Sequence, residues 1–205
     1  MSILVLMISK LSLEIFFKKL LVIAEENYDE FNSIDGQLGD GDLGITISKG
    51  LKEININISK FEDDLSKIFL LCAQCFTKAS SSSFGTLVAI SFMTVAKKTK
   101  GKTILEITDL PELINSVIEA VSSRGKSNIG DKTFIDSLNE ISNTLLNNEN
   151  ITGQSIYQAS ENALEKFKGK ECKIGRARMF AEKSKELNDP GMYALHKLSS
   201  VFIKN

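Results

Sequence analysis

Apolar side chains recur every three or four positions along most of this 205-residue chain, with charged and polar residues between them. This is the period of an amphipathic α-helix that buries one face. Leu13, Phe17 and Leu20 begin the first such stripe, which runs to about residue 31. Further stripes predict helices over residues 45–54, 65–79, 109–122, 132–146, 155–167, 177–187 and 190–203.

Several of the predicted helices carry start signals. Asp109 precedes Pro111, and Asp189 precedes Pro190. A capping aspartate followed by an early proline is typical of a helix N-terminus. Asp42 lies where it is able to cap the helix predicted over residues 45–54. These signals set the predicted boundaries of the helices.

Residues 85–93 are apolar nearly all round, which predicts a buried helix at the centre of the fold. A β-strand is the alternative, because periodicity does not separate the two for a short apolar run. The helical neighbours on both sides favour a helix. With two prolines and few strand signals, residues 1–205 are predicted to form a single all-α domain.

Composition narrows the function classes. The hydrophobic share is 42%, the charged share is 25%, and the net charge is −1, as in a soluble globular protein. The chain has no basic excess of the kind that binds nucleic acid. No apolar run approaches the roughly 18 residues that span a bilayer. Residues 1–7 are apolar but lack the basic start of a signal peptide, so we expect a helical or extended lead-in and a cytoplasmic protein.

The cysteines and the single histidine are expected to be structural. Three cysteines argue against a disulfide framework. Cys72 and Cys75 have the C-x-x-C spacing, but they lie inside an apolar helical stripe, which favours buried thiols over a zinc or redox site. His196 is likewise predicted to be a helix-surface or core residue and not a catalyst.

The most chemically distinctive stretch is residues 35–44, which place three aspartates among four glycines between two predicted helices. Aspartates supply hard oxygen ligands, and glycines let the backbone turn sharply and approach a ligand. This composition indicates a magnesium-phosphate site, with a plain solvated turn as the alternative. An EF-hand does not fit: counted from Asp40, the fifth position is Gly44 and the twelfth is Leu51.

Three further polar regions separate the helices. Residues 78–86 offer hydroxyls and backbone N–H groups at a predicted helix start, which favours an anion such as phosphate. Side chains with a positive charge suited to phosphate lie in residues 123–133 and in the pair of loops at 175–178 and 188–191. They are Arg124, Lys126, Lys132, Arg176 and Arg178. Taken alone, each is also compatible with a flexible connector or with solvated helix caps.

Four groups of motifs occur in a family-specific order. They are DGQLGDGDLG at 35–44, AS at 79–80 with FGT at 84–86, SRGK at 123–126 with GDKT at 130–133, and GRA at 175–177 with DPG at 189–191. In these motifs the chain resembles the nucleotide-binding L subunit of dihydroxyacetone kinases, the DhaL family. The resemblance implies a barrel-like antiparallel bundle of about eight helices. It also implies that the interhelical loops at one end bind an adenine nucleotide.

The resemblance assigns roles to individual residues. It implies that Asp35, Asp40 and Asp42 hold two Mg²⁺ ions against the phosphates of ADP or ATP. It places Ser80 on phosphate, Gly125 and Phe134 at the adenine, and the loop with Arg176 over the nucleotide. The full set of matching nucleotide-binding positions is Leu43, Thr46, Ala79, Ser80, Gly125, Phe134, Arg176, Asp189, Pro190 and Gly191. No residue is assigned as a catalytic acid or base.

The chain also departs from the family pattern. Leu43 and Thr46 stand where the family has His and Asn, and Thr77 with Lys78 replaces a glycine pair before Ala79. Ser81 replaces a further glycine. Because glycine loops grip phosphate through closely approaching backbone amides, side chains at these positions alter that grip. Lys78 offers a compensating positive charge.

The implied activity is phosphoryl transfer to dihydroxyacetone or a related short ketose. The resemblance implies a separate K subunit that holds the sugar, and either ATP or a phosphotransferase-system M subunit as the phosphoryl source. A homodimer is compatible with the family. The departures keep a second function open, in which a divergent, catalytically weak L-like protein senses adenine nucleotide or regulates a partner. A purely structural helical protein is the third alternative.

Overall fold

The computed structural model describes residues 7–148 and 150–204, so residues 1–6 of the expected lead-in lie outside the described part. These ranges contain ten α-helices and a two-stranded antiparallel sheet, which confirms the predicted mostly helical class. The helices are α1 (Lys10–Glu26), α2 (Tyr28–Leu38), α3 (Leu43–Ile56), α4 (Leu65–Ala79), α5 (Ser83–Lys98), α6 (Leu110–Gly125), α7 (Phe134–Asn147), α8 (Gly153–Lys166), α9 (Ala181–Glu186) and α10 (Pro190–Ser199). The strands are β1 (Met7–Ser9) and β2 (Ile104–Glu106), which the sequence did not predict.

The helices follow one another around a closed ring. From α3 to α8, each helix packs against the next one in the chain. The ring closes through α10, which packs against α8 on one side and against α1 and α2 on the other, and these two pack against α3. Consecutive helices joined by short connections are antiparallel neighbours. The arrangement is therefore the barrel-like bundle that was expected, with ten helices in place of about eight.

The main core lies between α1, α3, α4 and α5. Phe17 is 1% exposed, and its ring lies 6.0 Å from that of Phe61 and 6.1 Å from that of Phe92, measured between centroids. Cys72 and Cys75 are free thiols buried in this core, and desolvation raises the pKa of both. The prediction of buried structural cysteines is confirmed.

His196 is a buried polar residue in the contact between α8 and α10. Its Nδ1 lies 3.0 Å from the hydroxyl of Ser160, and its ring lies 4.7 Å from that of Tyr157. The imidazole of His196 is hydrogen-bonded and buried. Of the two predicted placements, on a helix surface or in the core, the structure shows the second. Across the described residues, no helix is both long enough and apolar enough to cross a membrane.

Side-chain caps explain several helix boundaries. Asp64 Oδ1 accepts a hydrogen bond from Ser66 N at 2.9 Å at the start of α4, and Asp189 Oδ1 accepts one from Met192 N at 2.9 Å at the start of α10. These bonds satisfy N–H groups that the first helical turn leaves free. The predicted cap at Asp189 is thus confirmed. Asp109 heads α6, but its carboxylate instead accepts from Glu106 N at 3.0 Å.

The prediction of one helix up to residue 31 is wrong. α1 ends at Glu26. The side-chain amide of Asn27 donates from Nδ2 to the carbonyl of Ile23 at 2.8 Å, and so satisfies one of the last carbonyl groups of α1. α2 then continues to Leu38. Asp35 consequently lies in the last turn of a helix, and the predicted loop over residues 35–44 is irregular only between Leu38 and α3.

Two other segments differ from expectation. Residues 85–93 are helical within α5, which excludes the β-strand, but their burial is one-sided: Ala89 is 5% exposed and Met93 is 43% exposed. α5 is one member of the ring, so only one of its faces meets the core. The helix predicted over residues 177–187 is divided into a 3₁₀ turn at Arg176–Phe180 and the short α9.

Candidate functional site

Several helices begin at the same end of the ring. The hydroxyl of Thr46, in the first turn of α3, lies 3.1 Å from that of Ser80 and 2.9 Å from that of Ser82, which immediately precedes α5. Ser82 Oγ accepts a hydrogen bond from Gly85 N at 3.0 Å and so caps α5. The first turns of α3 and α5 therefore meet in a cluster of hydroxyl groups.

The starts of α7 and α10 join the same end through aromatic contacts. Phe84, in the first turn of α5, makes an edge-to-face contact with Phe134, the first residue of α7, at 5.6 Å between centroids. A β-carbon on Gly191, in the first turn of α10, would lie 3.2 Å from the Phe84 ring and 3.3 Å from Phe134 Cβ. Four helix N-termini thus converge, and their partial positive charges favour an anionic ligand.

The three aspartates of the glycine-rich loop lie beside these helix starts. One carboxylate oxygen from each of Asp35, Asp40 and Asp42 falls within 4.8 Å of the others. Asp42 N donates to Asp35 Oδ2 at 2.9 Å, which fastens the loop to the end of α2. Gly41 has φ = +73°, a conformation that glycine adopts without strain, and this turn brings the two ends of the loop together.

The electrostatics of this cluster favour a cation. Desolvation raises the pKa of Asp35, as do the nearby carboxylates of Asp40 and Asp42, against a hydrogen bond from Asp42 N that lowers it. Desolvation and Asp40 also raise the pKa of Asp42, and Arg176 opposes this shift. Crowded carboxylates disfavour one another's ionisation until a cation neutralises them. The all-oxygen donor set fits Mg²⁺, which prefers carboxylate, phosphate and water ligands.

Asp42 makes no side-chain cap on α3, so the predicted capping role is wrong. Asn32 caps the helix instead: its Oδ1 accepts from Gly44 N at 2.8 Å and from Ile45 N at 3.2 Å. The carboxylate of Asp42 is therefore left to point into the acidic cluster. Sequence reasoning missed Asn32, because it lies in the preceding helix, 12 residues before Gly44, and carries no local capping signature.

Arg176 reaches the acidic cluster from the other end of the chain. Its guanidinium forms an ion pair with the carboxylate of Asp40. It is held by the 3₁₀ turn Arg176–Phe180, which packs against α2. The structure thus brings Arg176 together with the acidic loop, as the sequence predicted. The guanidinium of Arg176 is a positive charge beside any phosphate bound at this loop.

Residues 37–204 match the family model described as the DAK2 domain. The chain belongs to the DAK2-domain family. It is 30% identical over 171 residues to a Listeria innocua protein named PEP-dependent dihydroxyacetone kinase 1, ADP-binding subunit DhaL, with 83% of each chain covered. It is 29% identical over 173 residues to a Lactococcus lactis protein named PTS-dependent dihydroxyacetone kinase, ADP-binding subunit DhaL, with 82% of each covered.

A solved structure agrees with this DAK2-domain assignment. The dihydroxyacetone kinase of C. freundii, crystallised with AMP-PNP and Mg²⁺, superposes with a TM-score of 0.72 over 92% of this chain at 21% identity. The match covers 32% of that longer chain, so this chain corresponds to about a third of it. The likeness shows that the DAK2 fold is shared, and the resemblance inferred from the motifs is confirmed at the level of the family.

The remaining predicted nucleotide residues of the DAK2 domain line the same end. Ala79 is the last residue of α4, next to Ser80. A β-carbon on Gly125 would lie 3.8 Å from Leu87 of α5. Pro190 is buried as the first residue of α10, directly after Asp189. Desolvation raises the pKa of Asp189 to about 7, and hydrogen bonds from Met192 N and Gly191 N, with the charge of Lys132, counter that shift.

Three of the residues predicted to lie at the phosphates do not present their side chains to this end of the domain. Leu43 is 3% exposed and belongs to the hydrophobic core. Lys78 Nζ lies 2.9 Å from Glu53 Oε2, so the compensating charge predicted for the phosphate loop is engaged elsewhere. Lys132 is buried and binds backbone carbonyls, which contradicts its expected contact with phosphate. Arg124, Lys126 and Arg178 are exposed.

Sequence reasoning also missed Phe84 and Ser82. Ser82 was counted only as part of a serine-rich connector, although serine is one of the residues preferred at a helix N-cap. Phe84 appeared only as part of a motif and was given no role. Its contact with Phe134 joins helices that are far apart in sequence, so no local signal identifies it.

Proposed function

We propose that this DAK2-domain protein is the ADP- or ATP-binding, magnesium-dependent phosphoryl-transfer subunit of a kinase that acts on dihydroxyacetone or a related short ketose. The observation that carries the proposal is the group of three carboxylates within 4.8 Å at the end of the ring where four helices begin. Acidic metal ligands beside helix N-termini suit a metal-bound polyphosphate. The names of the DhaL relatives give the nucleotide and the sugar class.

In this proposal, Asp35, Asp40 and Asp42 hold two Mg²⁺ ions. When bound, the ions neutralise the phosphates and orient the terminal phosphoryl group for in-line transfer. The hydroxyls of Ser80 and Thr46 donate hydrogen bonds to phosphate oxygens, and the positive ends of the α3 and α5 dipoles favour the phosphate charge. Arg176, released from Asp40, adds a charge-assisted bond to phosphate.

In this proposal, the adenine ring lies against Gly125 and Phe134. Gly125 has no side chain to obstruct a flat ligand, and Phe134 offers an aromatic surface at the start of α7. Asp189, Pro190 and Gly191 close over the nucleotide from the start of α10. Leu43 contributes through its backbone, since its side chain is in the core. The organisation of residues 1–205 as one domain stays a prediction.

The sugar is expected to be held by a separate K subunit, with this chain supplying the phosphoryl group. The phosphoryl source is either ATP or a phosphotransferase-system M subunit that recharges bound ADP. The PEP-dependent and PTS-dependent relatives support the M subunit, whereas the C. freundii kinase was crystallised with AMP-PNP, an analogue of ATP. A homodimer of this chain stays a prediction as well.

Calorimetry tests the binding site. We expect ADP to bind in the presence of Mg²⁺ and to lose most of its affinity when EDTA is added. Asp42→Asn should weaken binding about 10- to 100-fold, the effect of losing one charged ligand interaction worth about 1.5–3 kcal/mol. Asp29→Asn is the matched control, since Asp29 is exposed on the same helix as Asp35. Equal ADP affinity with and without Mg²⁺ would argue against the proposal.

A second candidate is a divergent nucleotide sensor with little turnover. It is favoured by the positions at which the chain departs from the family pattern: Leu43 is buried in the core, and Lys78 is paired with Glu53. Neither side chain supplies a polar contact to phosphate. A coupled assay with a purified K subunit, ATP, Mg²⁺ and dihydroxyacetone separates the candidates. Turnover that Asp40→Ala abolishes supports the kinase subunit, whereas Mg²⁺-dependent ADP binding without turnover supports the sensor.

A further inference from the structure

Lys132 is a buried lysine whose ammonium donates its hydrogen bonds to backbone carbonyls. The residue is 2% exposed. Its ammonium donates to the carbonyl oxygens of Lys170 at 2.8 Å, Ser184 at 2.7 Å and Leu187 at 2.7 Å. An ammonium has three donors, so these bonds use all of them. Lys132 therefore has no donor left for a phosphate.

The three carbonyls lie on both sides of Arg176 in the sequence. Residues 170–187, here named the closing loop, begin at one of the bonded carbonyls and end at another. Gly169 N donates to Lys185 O at 3.2 Å, and Cys172 N donates to Ser184 Oγ at 2.9 Å, so the two ends of the loop are joined beside the lysine. The ammonium sits at the neck of the closing loop, and Arg176 lies within the loop.

Apolar packing holds the closing loop only in part. Cys172, Ala177 and Leu187 pack with Leu38 of α2 in a small cluster. Met179 is 70% exposed and Phe180 is 41% exposed. A loop with few buried apolar contacts depends on polar contacts for its order. The three bonds from Lys132 are therefore among the polar contacts that fix its position, together with the hydrogen bond from Lys173 N to Asp131 O at 3.1 Å.

The backbone of Lys132 supports the same interpretation. Its φ is +61°, a left-handed conformation that disfavours residues with a β-carbon. Such a conformation persists where the surrounding structure holds the residue in place. Phe134, two residues further on, starts α7 and contacts Phe84. Lys132 thus links the closing loop to the α7 start that borders the proposed nucleotide site.

We propose that Lys132 is a positioning residue, whose ammonium fixes the neck of the closing loop and thereby holds Arg176 at the acidic cluster and Asp189 at the start of α10. The consequence for ligand binding rests on the proposed function. The anchoring itself does not, because it is a property of the protein without ligand.

The test compares Lys132→Met with Lys183→Met, an exposed lysine on α9 inside the same loop. Backbone amide hydrogen exchange of the ligand-free protein is measured along the chain, and ADP affinity is measured with Mg²⁺. We expect Lys132→Met to accelerate exchange in residues 170–187 by about tenfold or more while α3 and α4 keep their protection. The Kd for ADP should rise about tenfold. Lys183→Met should change neither quantity.

Uniform acceleration across the bundle, or unchanged exchange in the closing loop, would overturn the proposal. Should Lys132→Met not fold, Lys132→Gln keeps two amide donors and serves for the same comparison. Failure of both to fold also overturns it, because the lysine would then support the whole bundle. If the wild type binds no ADP while loop exchange still depends on Lys132, the proposed function fails and the anchoring role stands.

Discussion

A β-carbon added to Gly44 would lie 2.3 Å from the carbonyl oxygen of Tyr28. The first turn of α3 therefore contacts the first turn of α2 backbone to backbone. Real β-carbons do not approach an oxygen so closely, so only glycine allows this crossing. The close contact determines where α3 begins relative to Asp35 in α2.

Gly44→Ala is expected to lower the free energy of unfolding by about 1–3 kcal/mol, because the methyl group forces α2 and α3 apart. Urea denaturation measures the change. Gly36→Ala, near the end of α2, is the matched control, since its β-carbon would meet nothing closer than 3.7 Å. In a helix, alanine is favoured over glycine, so the control should be neutral or slightly stabilising. Equal losses in both variants would contradict the steric explanation.

Asn32→Ala should remove the cap of α3 and cost about 1 kcal/mol of unfolding free energy. Thermal or urea unfolding provides the measurement. Asn143→Ala, at an exposed position in α7, should stay within about 0.5 kcal/mol of the wild type. If Asn32→Ala is as stable as that control, another group must satisfy the N–H groups of Gly44 and Ile45.

Arg176→Gln is expected to have opposite effects on two ligands. Without its ion pair to Arg176, Asp40 is freer to bind Mg²⁺, so the affinity for the metal alone should rise. The affinity for Mg-ADP should fall, because a phosphate contact is lost. Calorimetric titrations with MgCl₂ and with Mg-ADP measure both effects.

Arg178→Gln is the control for that experiment, because Arg178 is exposed and makes no ion pair within the described ranges. It should change both affinities by less than Arg176→Gln does. A parallel loss of both affinities in Arg176→Gln would show that the arginine organises the metal cluster and does not compete with the metal.

Asp189 predicts a pH dependence of stability. Its pKa rises from 3.8 to about 7 on folding, chiefly through desolvation, with the Asp136 carboxylate adding to the shift and Lys132 opposing it. At a pH between these two pKa values, Asp189 is protonated in the folded protein and ionised in the unfolded chain. The contribution of Asp189 to stability therefore falls as the pH rises from about 4 to 7.

Asp189→Asn should remove that part of the pH dependence, since an amide still caps α10 but does not titrate in this range. Unfolding free energies measured between pH 4 and 8 give the comparison. The wild type should lose stability relative to the variant as the pH rises through this window. Parallel curves for the two proteins would contradict the assignment.

The helices were predictable where one local signal determines them. Residues 65–79 have a strong apolar stripe and an acidic start, and α4 has those bounds. Asp189 followed by Pro190 marked the start of α10. The break at Asn27 was missed because the apolar stripe continues through it, and the amide that ends α1 bonds back to the helix itself.

The site was predictable as a set of residue types and not as a set of contacts. The charges of the acidic loop and of Arg176 can be identified from the sequence, and the fold brings these residues together. Lys78 and Lys132 carry the same charge but point elsewhere, toward Glu53 and toward backbone carbonyls. A lysine is long and flexible, so its partner depends on packing between distant segments.

The ring of helices also makes the order of folding consequential. The acidic loop belongs to the second and third helices, and Asp189 belongs to the last one, so the ends of the site come from opposite ends of the chain. Contacts of such large sequence separation form late, because they require a long stretch of chain to be ordered first. A nascent chain therefore completes this candidate site only when α10 docks against α2. Ligand binding would then report complete folding, and an added ligand would stabilise only chains whose ring is closed.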